Sequence, residues 1–298
     1  MDSYAPPARL VSVAIPGSIP SGGKPADPVW YDDRLRKSPG GIVSILKLRD
    51  DLSIHYRLIH GDLRRPCLVF LHEGLGCDAM WKHFPDRLCA RTGCSGLVYD
   101  RQGYGGSSPL TGERTIHYLH KYALDELPAV LAAVIPGRPY ILVGHSDGGS
   151  ISLIAAADRP PLLRGIVVEA PHILVEPETV AGVRRADEAF DRGKLDGLRK
   201  YHGEKTRRMF KAWAHTWMDE KYRRWNIKYL LPYITCPVLV IQGRGDHYGT
   251  AGQVDPIVAA ASGPAEAFWL DDCGHAPHLE HPEKVIAKVS AFVAAAPA

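Results

Sequence analysis

The stretch YILVGHSDGGSISLIAAA, residues 140–157, constrains the fold more than any other part of the chain. It opens on an uninterrupted apolar run, the pattern of a strand covered on both faces. It closes on an apolar, alanine-rich segment of helical character. Only Gly-His-Ser-Asp-Gly-Gly separates the two, so the chain must reverse sharply at Ser146. Gly144 and Gly148 let neighbouring backbone pass there without a Cβ clash. A doubly buried strand that feeds directly into a helix belongs in a parallel sheet with helices packed on its faces.

The rest of the chain extends this pattern. Residues 41–47 and 53–59 alternate in polarity around Asp50-Asp51, and read as an antiparallel hairpin at a sheet edge. Short apolar runs follow in PCLVFLHEG, SGLVYD, LRGIVVEAP, CPVLVIQG and EAFWLDDCG. Helical segments lie between them: WKHFPDRLCARTG, residues 115–135 with Pro128 placed to kink the helix, residues 147–158, residues 253–261 and a last one over 282–294. The alternation breaks once. Residues 172–231 are helical, charged and rich in Trp and Tyr, and are too long for a connecting loop. They read as a cap over the carboxyl ends of the strands, where ligands bind in such sheets. The expected organisation is an extended arm over residues 1–40, an α/β core over 41–171 and 232–298, and a helical cap over 172–231.

Composition narrows the class. The chain has 298 residues, a formal charge of +3 and 45% hydrophobic residues, which reads as soluble and globular and gives no argument for nucleic-acid or membrane binding. The N-terminus lacks a basic region followed by an apolar run and does not read as a signal peptide. The six cysteines, Cys67, Cys77, Cys89, Cys94, Cys236 and Cys273, show neither CxxC nor metal-ligand spacing. They are expected to be free thiols in a reducing, cytoplasmic setting. No metal or cofactor is called for, and a homodimer is left open.

A serine at a strand-to-helix reversal is either a helix cap or a nucleophile. The bare G-x-S-x-G spacing is weakly specific, but the flanking strand and helix raise its weight. A hydroxyl attacks only when a base takes its proton. The loop DDCGHAPHLEHPE follows the last strand and offers His275, with His278 and His281 as competitors; the adjacent Gly274 favours His275. The imidazole needs a carboxylate to fix its tautomer. Asp246, in the loop after CPVLVIQG, is the first choice and Glu169, at the end of GIVVEAP, the second. A developing oxyanion needs two N–H groups, here those of Asp147 and of Gly74, with Leu75 as the alternative to Gly74.

Together HEGLG, DRQGYGGSS, GHSDGG and QGRGD…DCGH, in that order, resemble the α/β-hydrolase superfamily over residues 41–294. The resemblance implies an α/β-hydrolase fold: a mostly parallel sheet with an antiparallel edge hairpin, helices on both faces and an inserted helical cap. It carries the nucleophile, acid and base to Ser146, Asp246 and His275. A serine rather than an aspartate nucleophile argues against the dehalogenase and epoxide hydrolase branches. The sequence departs from the family in one place, where Glu73 stands inside the oxyanion loop. Glu73 reads first as a structural carboxylate tied to Arg101 or to a loop amide, and second as a recognition group for substrate. Asp100 and Arg101 are expected to brace loops.

The function implied is hydrolysis of a small or medium carboxylic ester through an acyl-enzyme, with a small-molecule acyl substrate as the only partner. Glu73, Leu75, Trp213 and Trp217 are candidate substrate contacts, with Trp225 and Tyr229 as further pocket aromatics; all of these cap aromatics are equally explicable as cap core. The alternatives are a C–C bond hydrolase, or a lactonase or amidase, acting on a carboxylate-bearing substrate that the cap's Arg and Lys residues would suit. An alternative of another class is a non-catalytic ligand receptor on the same fold.

Overall fold

Short runs that are apolar throughout suit strands with both faces covered, and the computed structural model buries the central ones so, while EAFWL, at the far edge of the sheet, is partly exposed. The structure describes residues 42–297; the arm expected over residues 1–40 lies outside them. Eight strands form one sheet: β1 Ile42–Arg49, β2 Leu52–Ile59, β3 Cys67–Leu71, β4 Gly96–Tyr99, β5 Tyr140–His145, β6 Leu163–Glu169, β7 Val238–Gly243 and β8 Ala265–Leu270. Their order across the sheet is β1-β2-β4-β3-β5-β6-β7-β8. β2 alone runs against its neighbours, antiparallel to β1 and to β4, while every other pairing is parallel. Every residue of β3, β4, β5 and β7 is buried. At the edge, Val43 and Ile45 of β1 face solvent. The expected α/β-hydrolase architecture is the one observed.

Helices pack on both sides of this sheet. α1 Phe84–Thr92 begins with Pro85 in its first turn and ends at Gly93, whose φ of 71° makes the left-handed cap that glycine adopts without strain. Residues 118–134 form one helical stretch, α2 Tyr118–Lys121, a π turn Tyr122–Glu126 and α3 Leu127–Val134. Pro128 lies at the start of α3. Its ring excludes an ordinary α turn behind it, and the chain widens into the π turn at that point. α4 Asp147–Ala157 follows β5 without a linker beyond Ser146. Near the C-terminus come α8 Ala251–Ala260, α9 Pro277–Glu280 and α10 Pro282–Ala295. One apolar cluster joins Phe70, Trp81, Phe84, Leu88 and Val143 to Leu239, Val285 and Val289, fixing α1 and α10 to the same face.

Between β6 and β7 lie α5 Pro177–Asp191, α6 Arg199–His202 and α7 Thr206–Met218, linked by short 3₁₀ turns. The only strand-like feature there, among the described residues, is a single bridge between Leu174 and Asn226. α7 turns Met209, Phe210, Trp213, Ala214 and Trp217 inward. Phe190 of α5 stacks on Phe210 of α7 with ring centres 4.0 Å apart.

Candidate active site

The six parallel strands β3 to β8 bring six loop starts to one edge, and Ser146, Asp246, His275 and the Gly74 loop come from four of them. Ser146 sits between β5 and α4 with φ 52° and ψ −115°, a backbone state that a residue with a side chain seldom takes. Holding it there costs on the order of 1–3 kcal/mol. The surroundings impose it. The Ser146 N–H donates to the Glu169 carbonyl at 2.8 Å. A Cβ on Gly148 would lie 1.9 Å from the Leu71 carbonyl oxygen, and one on Gly144 2.2 Å from that of Gly148, so only glycine fits at either place.

Asp246 and His275 are delivered by two loops sewn together. The Gly245 N–H donates to the Cys273 carbonyl at 2.8 Å. A Cβ on Gly243 would fall 2.2 Å from the Gly274 carbonyl oxygen. Glu280 then folds back from α9 and accepts from the N–H groups of Gly274 and Ala276, at 2.7 and 3.0 Å, bracketing His275. The outcome is a row of three side chains. His275 Nδ1 donates to Asp246 Oδ2 at 2.8 Å, and Ser146 Oγ lies 3.0 Å from His275 Nε2. Because a carboxylate can only accept, the proton sits on Nδ1 and leaves Nε2 free to take one from Ser146. Asp246 also accepts from Gln242 Nε2 and from the Tyr248 N–H, each at 2.8 Å. Burial pushes the Asp246 carboxyl up, but His275 and these bonds outweigh it and bring it to about 2.

Ser146 and His275 open into a cavity of about 200 Å³. Glu73, Gly74 and Leu75 line it from the loop after β3; Trp213, Trp217, Leu195, Leu198 and Val183 line it from the helical insertion. Asp147 opens α4, so its N–H is one of those a helix leaves without an internal partner. Among the described residues no acceptor faces the N–H of Gly74 or of Leu75.

A family model described as "Alpha/beta hydrolase family" matches residues 68–288, well over half of the chain. The chain belongs to the alpha/beta hydrolase family. Among curated relatives, the chain is 31% identical to the sn-1-specific diacylglycerol lipase ABHD11 of Mus musculus over 39% of its own length and 36% of that protein. It is 37% identical to the monoglyceride lipase of Homo sapiens over 28% of this chain and 27% of that protein. The chain thus spans about a third or less of the length of these two relatives. Among solved structures, it is similar in fold to a bacterial membrane phospholipase A, with a TM-score of 0.70 at 22% identity, covering 86% of each chain.

The other residues weighed from the sequence take varied places. Glu169 and His278, the second choices for acid and base, pair with each other: Glu169 Oε2 accepts from the His278 N–H at 3.0 Å and from its Nδ1 at 2.9 Å. Both are buried, under Trp81. His281 contacts the Asp272 carbonyl at 3.2 Å. Glu73 does not pair with Arg101 through its carboxylate. Arg101 donates instead to the carbonyls of His72 and Glu73, and the Glu73 carboxylate faces His145 at 3.7 Å. Asp100 braces the site's flank as expected, accepting from the N–H groups of Asp78 and Gly106. Trp225 packs on Trp217 and Tyr222 rather than on the cavity, and Tyr229 faces solvent. Among the cavity residues that escape the sequence reading are His172, just after β6, and Tyr248, whose ring centre lies 4.7 Å from that of His275. Their position one loop beyond a strand's carboxyl end is the signal that points to them. Burial and the neighbouring His275 push His172 down to about 3, so it is neutral.

A larger cavity of about 430 Å³ lies on the other side of α2, lined by Arg114, Gln102 and Glu126. Neither Ser146 nor His275 reaches it. Among the described residues no helix is long and apolar enough to cross a membrane.

Proposed function

We propose that the hydrolase cleaves small, uncharged carboxylic esters through an acyl-enzyme, with Ser146 as nucleophile, His275 as general base and then acid, and Asp246 as the group that orients His275. The row Asp246–His275–Ser146, with contacts of 2.8 and 3.0 Å at the mouth of a cavity, carries the reading. His275 takes the Ser146 proton as Oγ attacks the carbonyl carbon. The N–H groups of Asp147 and Gly74, with Leu75 beside it, receive the oxyanion. His275 passes its proton to the leaving alcohol, then activates the water that frees the acid. The helical insertion acts as a cap, with Trp213 and Trp217 over the acyl chain. The lipase names of the curated relatives agree with an ester substrate.

The cavity argues for an uncharged acyl group. None of the described residues lining it is Lys or Arg, while Glu73 and Asp147 both reach it. A substrate with a free carboxylate would meet carboxylates and no counter-charge. The Arg and Lys residues of the cap lie elsewhere, which removes the sequence argument for a carboxylate-bearing substrate. The test is hydrolysis of p-nitrophenyl acetate, butyrate and hemisuccinate, with a fluorophosphonate probe mapped by mass spectrometry. Turnover of the two neutral esters and labelling of Ser146 are expected. A label on another residue, or saturable ligand-induced stabilisation without serine-dependent turnover, overturns the assignment; the latter outcome is that of a receptor.

A further inference from the structure

A histidine's charge can be read from what its two ring nitrogens face, since a neutral imidazole has one donor and one acceptor. His72 meets one of each: its Nε2 accepts from the Arg101 N–H at 3.2 Å, and its Nδ1 donates to the Glu73 carbonyl at 2.8 Å. His202 is similar, accepting from the Gly105 N–H at 3.0 Å and donating to the Leu75 carbonyl at 2.8 Å. Both are satisfied as neutral rings. His145, the residue before Ser146, is different. Its Nε2 lies 2.6 Å from the carbonyl oxygen of His275. Its Nδ1 has no hydrogen bond, and its nearest charge is the Glu73 carboxylate at 3.7 Å, within ion-pair reach. Both neighbours only accept, so a neutral ring protonated on Nε2 would turn its Nδ1 lone pair toward a carboxylate, while an imidazolium gives that carboxylate its counter-charge.

The surroundings are built for that charge. His145 is 4% exposed, so water cannot stand in for a missing partner. Glu73 reaches it by folding over Gly76, where a Cβ would lie 2.2 Å from Glu73 Oε2. The other ionisable groups around the ring are Glu169 at the end of β6, and His275 and His278, with ring centres 5.2 and 4.9 Å away. Trp81 closes the remaining side.

We propose that His145 is an imidazolium that acts as a positioning residue, tying the oxyanion loop at Glu73 to the base loop at His275 from behind the nucleophile. This inference rests on the reading of Ser146 and His275 given above. One cation then touches three parts of the site: it adjoins Ser146 in the chain, holds the loop of Gly74 through Glu73, and holds His275 by its own carbonyl. Burial alone would drive the His145 pKa down, but the Glu73 carboxylate, the Glu169 charge and the His275 carbonyl outweigh it and raise it. The charge is therefore fully present below the ordinary histidine range and is lost as pH rises through the higher folded value. Above that value the tie fails.

The experiment is two-bond ¹H–¹⁵N NMR of the histidine rings of the full chain from pH 5 to 9, with His145→Gln to assign the resonance. In the wild type both His145 nitrogens are expected to be protonated at pH 7.5, and in Glu73→Gln one is expected to be bare. A bare His145 nitrogen at pH 7.5 in the wild type overturns the proposal, whether or not any ester is turned over. The kinetic arm follows p-nitrophenyl acetate hydrolysis against pH. kcat is expected to fall at alkaline pH with KM changed less than about twofold, and Glu73→Gln should move that fall down by about one pH unit, with Glu73→Asp in between. Superimposable profiles for wild type and Glu73→Gln overturn it.

Discussion

Two carboxylate–imidazole pairs stand side by side in this molecule, and they differ in what lies on the far side of the ring. Asp246 and His275 meet at 2.8 Å, Glu169 and His278 at 2.9 Å, and both histidines come from the same short segment after β8. Beyond His275 are a serine hydroxyl and a cavity. Beyond His278 are the rings of Trp81 and Phe84, at 4.6 and 5.3 Å. The first histidine ring keeps an exposed edge while the second is sealed. A carboxylate and an imidazole in contact are therefore not by themselves a catalytic signature. On the proposed reading, the same pair serves chemistry where it borders the Ser146 hydroxyl and structure where it borders the core.

That contrast can be broken from either side. If the proposed reading holds, the largest effect should come from the open pair: Ser146→Ala is expected to lower kcat by about 10⁶ and Asp246→Asn by about 10⁴, the losses typical of serine triads. Steady-state rates on p-nitrophenyl butyrate check both. Equal loss in Glu169→Gln would erase the distinction. Glu169→Gln and His278→Leu should instead cost stability, about 1–3 kcal/mol each for the buried partner left unsatisfied, read as a lower urea midpoint.

Acid sharpens the comparison further. The Asp246 pKa is depressed to about 2, so its contribution to stability is present above the ordinary aspartate value and is lost as pH falls toward about 2. The wild type should exceed Asp246→Asn in stability by about 2 kcal/mol at pH 6, and the two should converge only below about pH 2. Urea unfolding at four pH values measures this. The smallest effect belongs to the third histidine of the segment. Among the described residues the His281 ring hydrogen-bonds only the Asp272 carbonyl, and His281→Ala should leave kcat unchanged and stability within about 0.5 kcal/mol of wild type.

The sequence displays the open pair more clearly than the closed one, for a physical reason. Strands buried on both faces have to be apolar throughout, so β3, β5, β6 and β7 are visible as runs, and the ends of parallel strands mark one edge of the sheet. Ser146, Asp246 and His275 each follow such an end. Within GHAPHLEH, however, the direction of each ring depends on α9, a single turn begun by Pro277, and on Glu280 folding back to hold the N–H groups around His275. Four residues of loop geometry decide that His275 faces the cavity and His278 the core. Glu73 illustrates the same limit. Its place in the oxyanion loop is legible, but whether its carboxylate meets Arg101 or His145 depends on the room left at Gly76, a matter of tenths of an ångström. The pocket wall was equally hard to read, because tryptophans at helical spacing look alike whether they face a ligand or one another, as Trp217 and Trp225 do here.

The bridge between Leu174 and Asn226 has a bearing on how such a chain can diversify. Ile227 donates its N–H to Ile173 at 2.7 Å, so the helical insertion leaves the sheet and returns to it at one spot. A segment whose two ends already touch can lengthen, shorten or be exchanged with little strain on what carries it, since closing a longer excursion costs only slowly more entropy. The walls over Ser146 can thus be rebuilt piecemeal while the strands that aim Asp246 and His275 stay fixed, which separates the evolution of selectivity from that of reactivity.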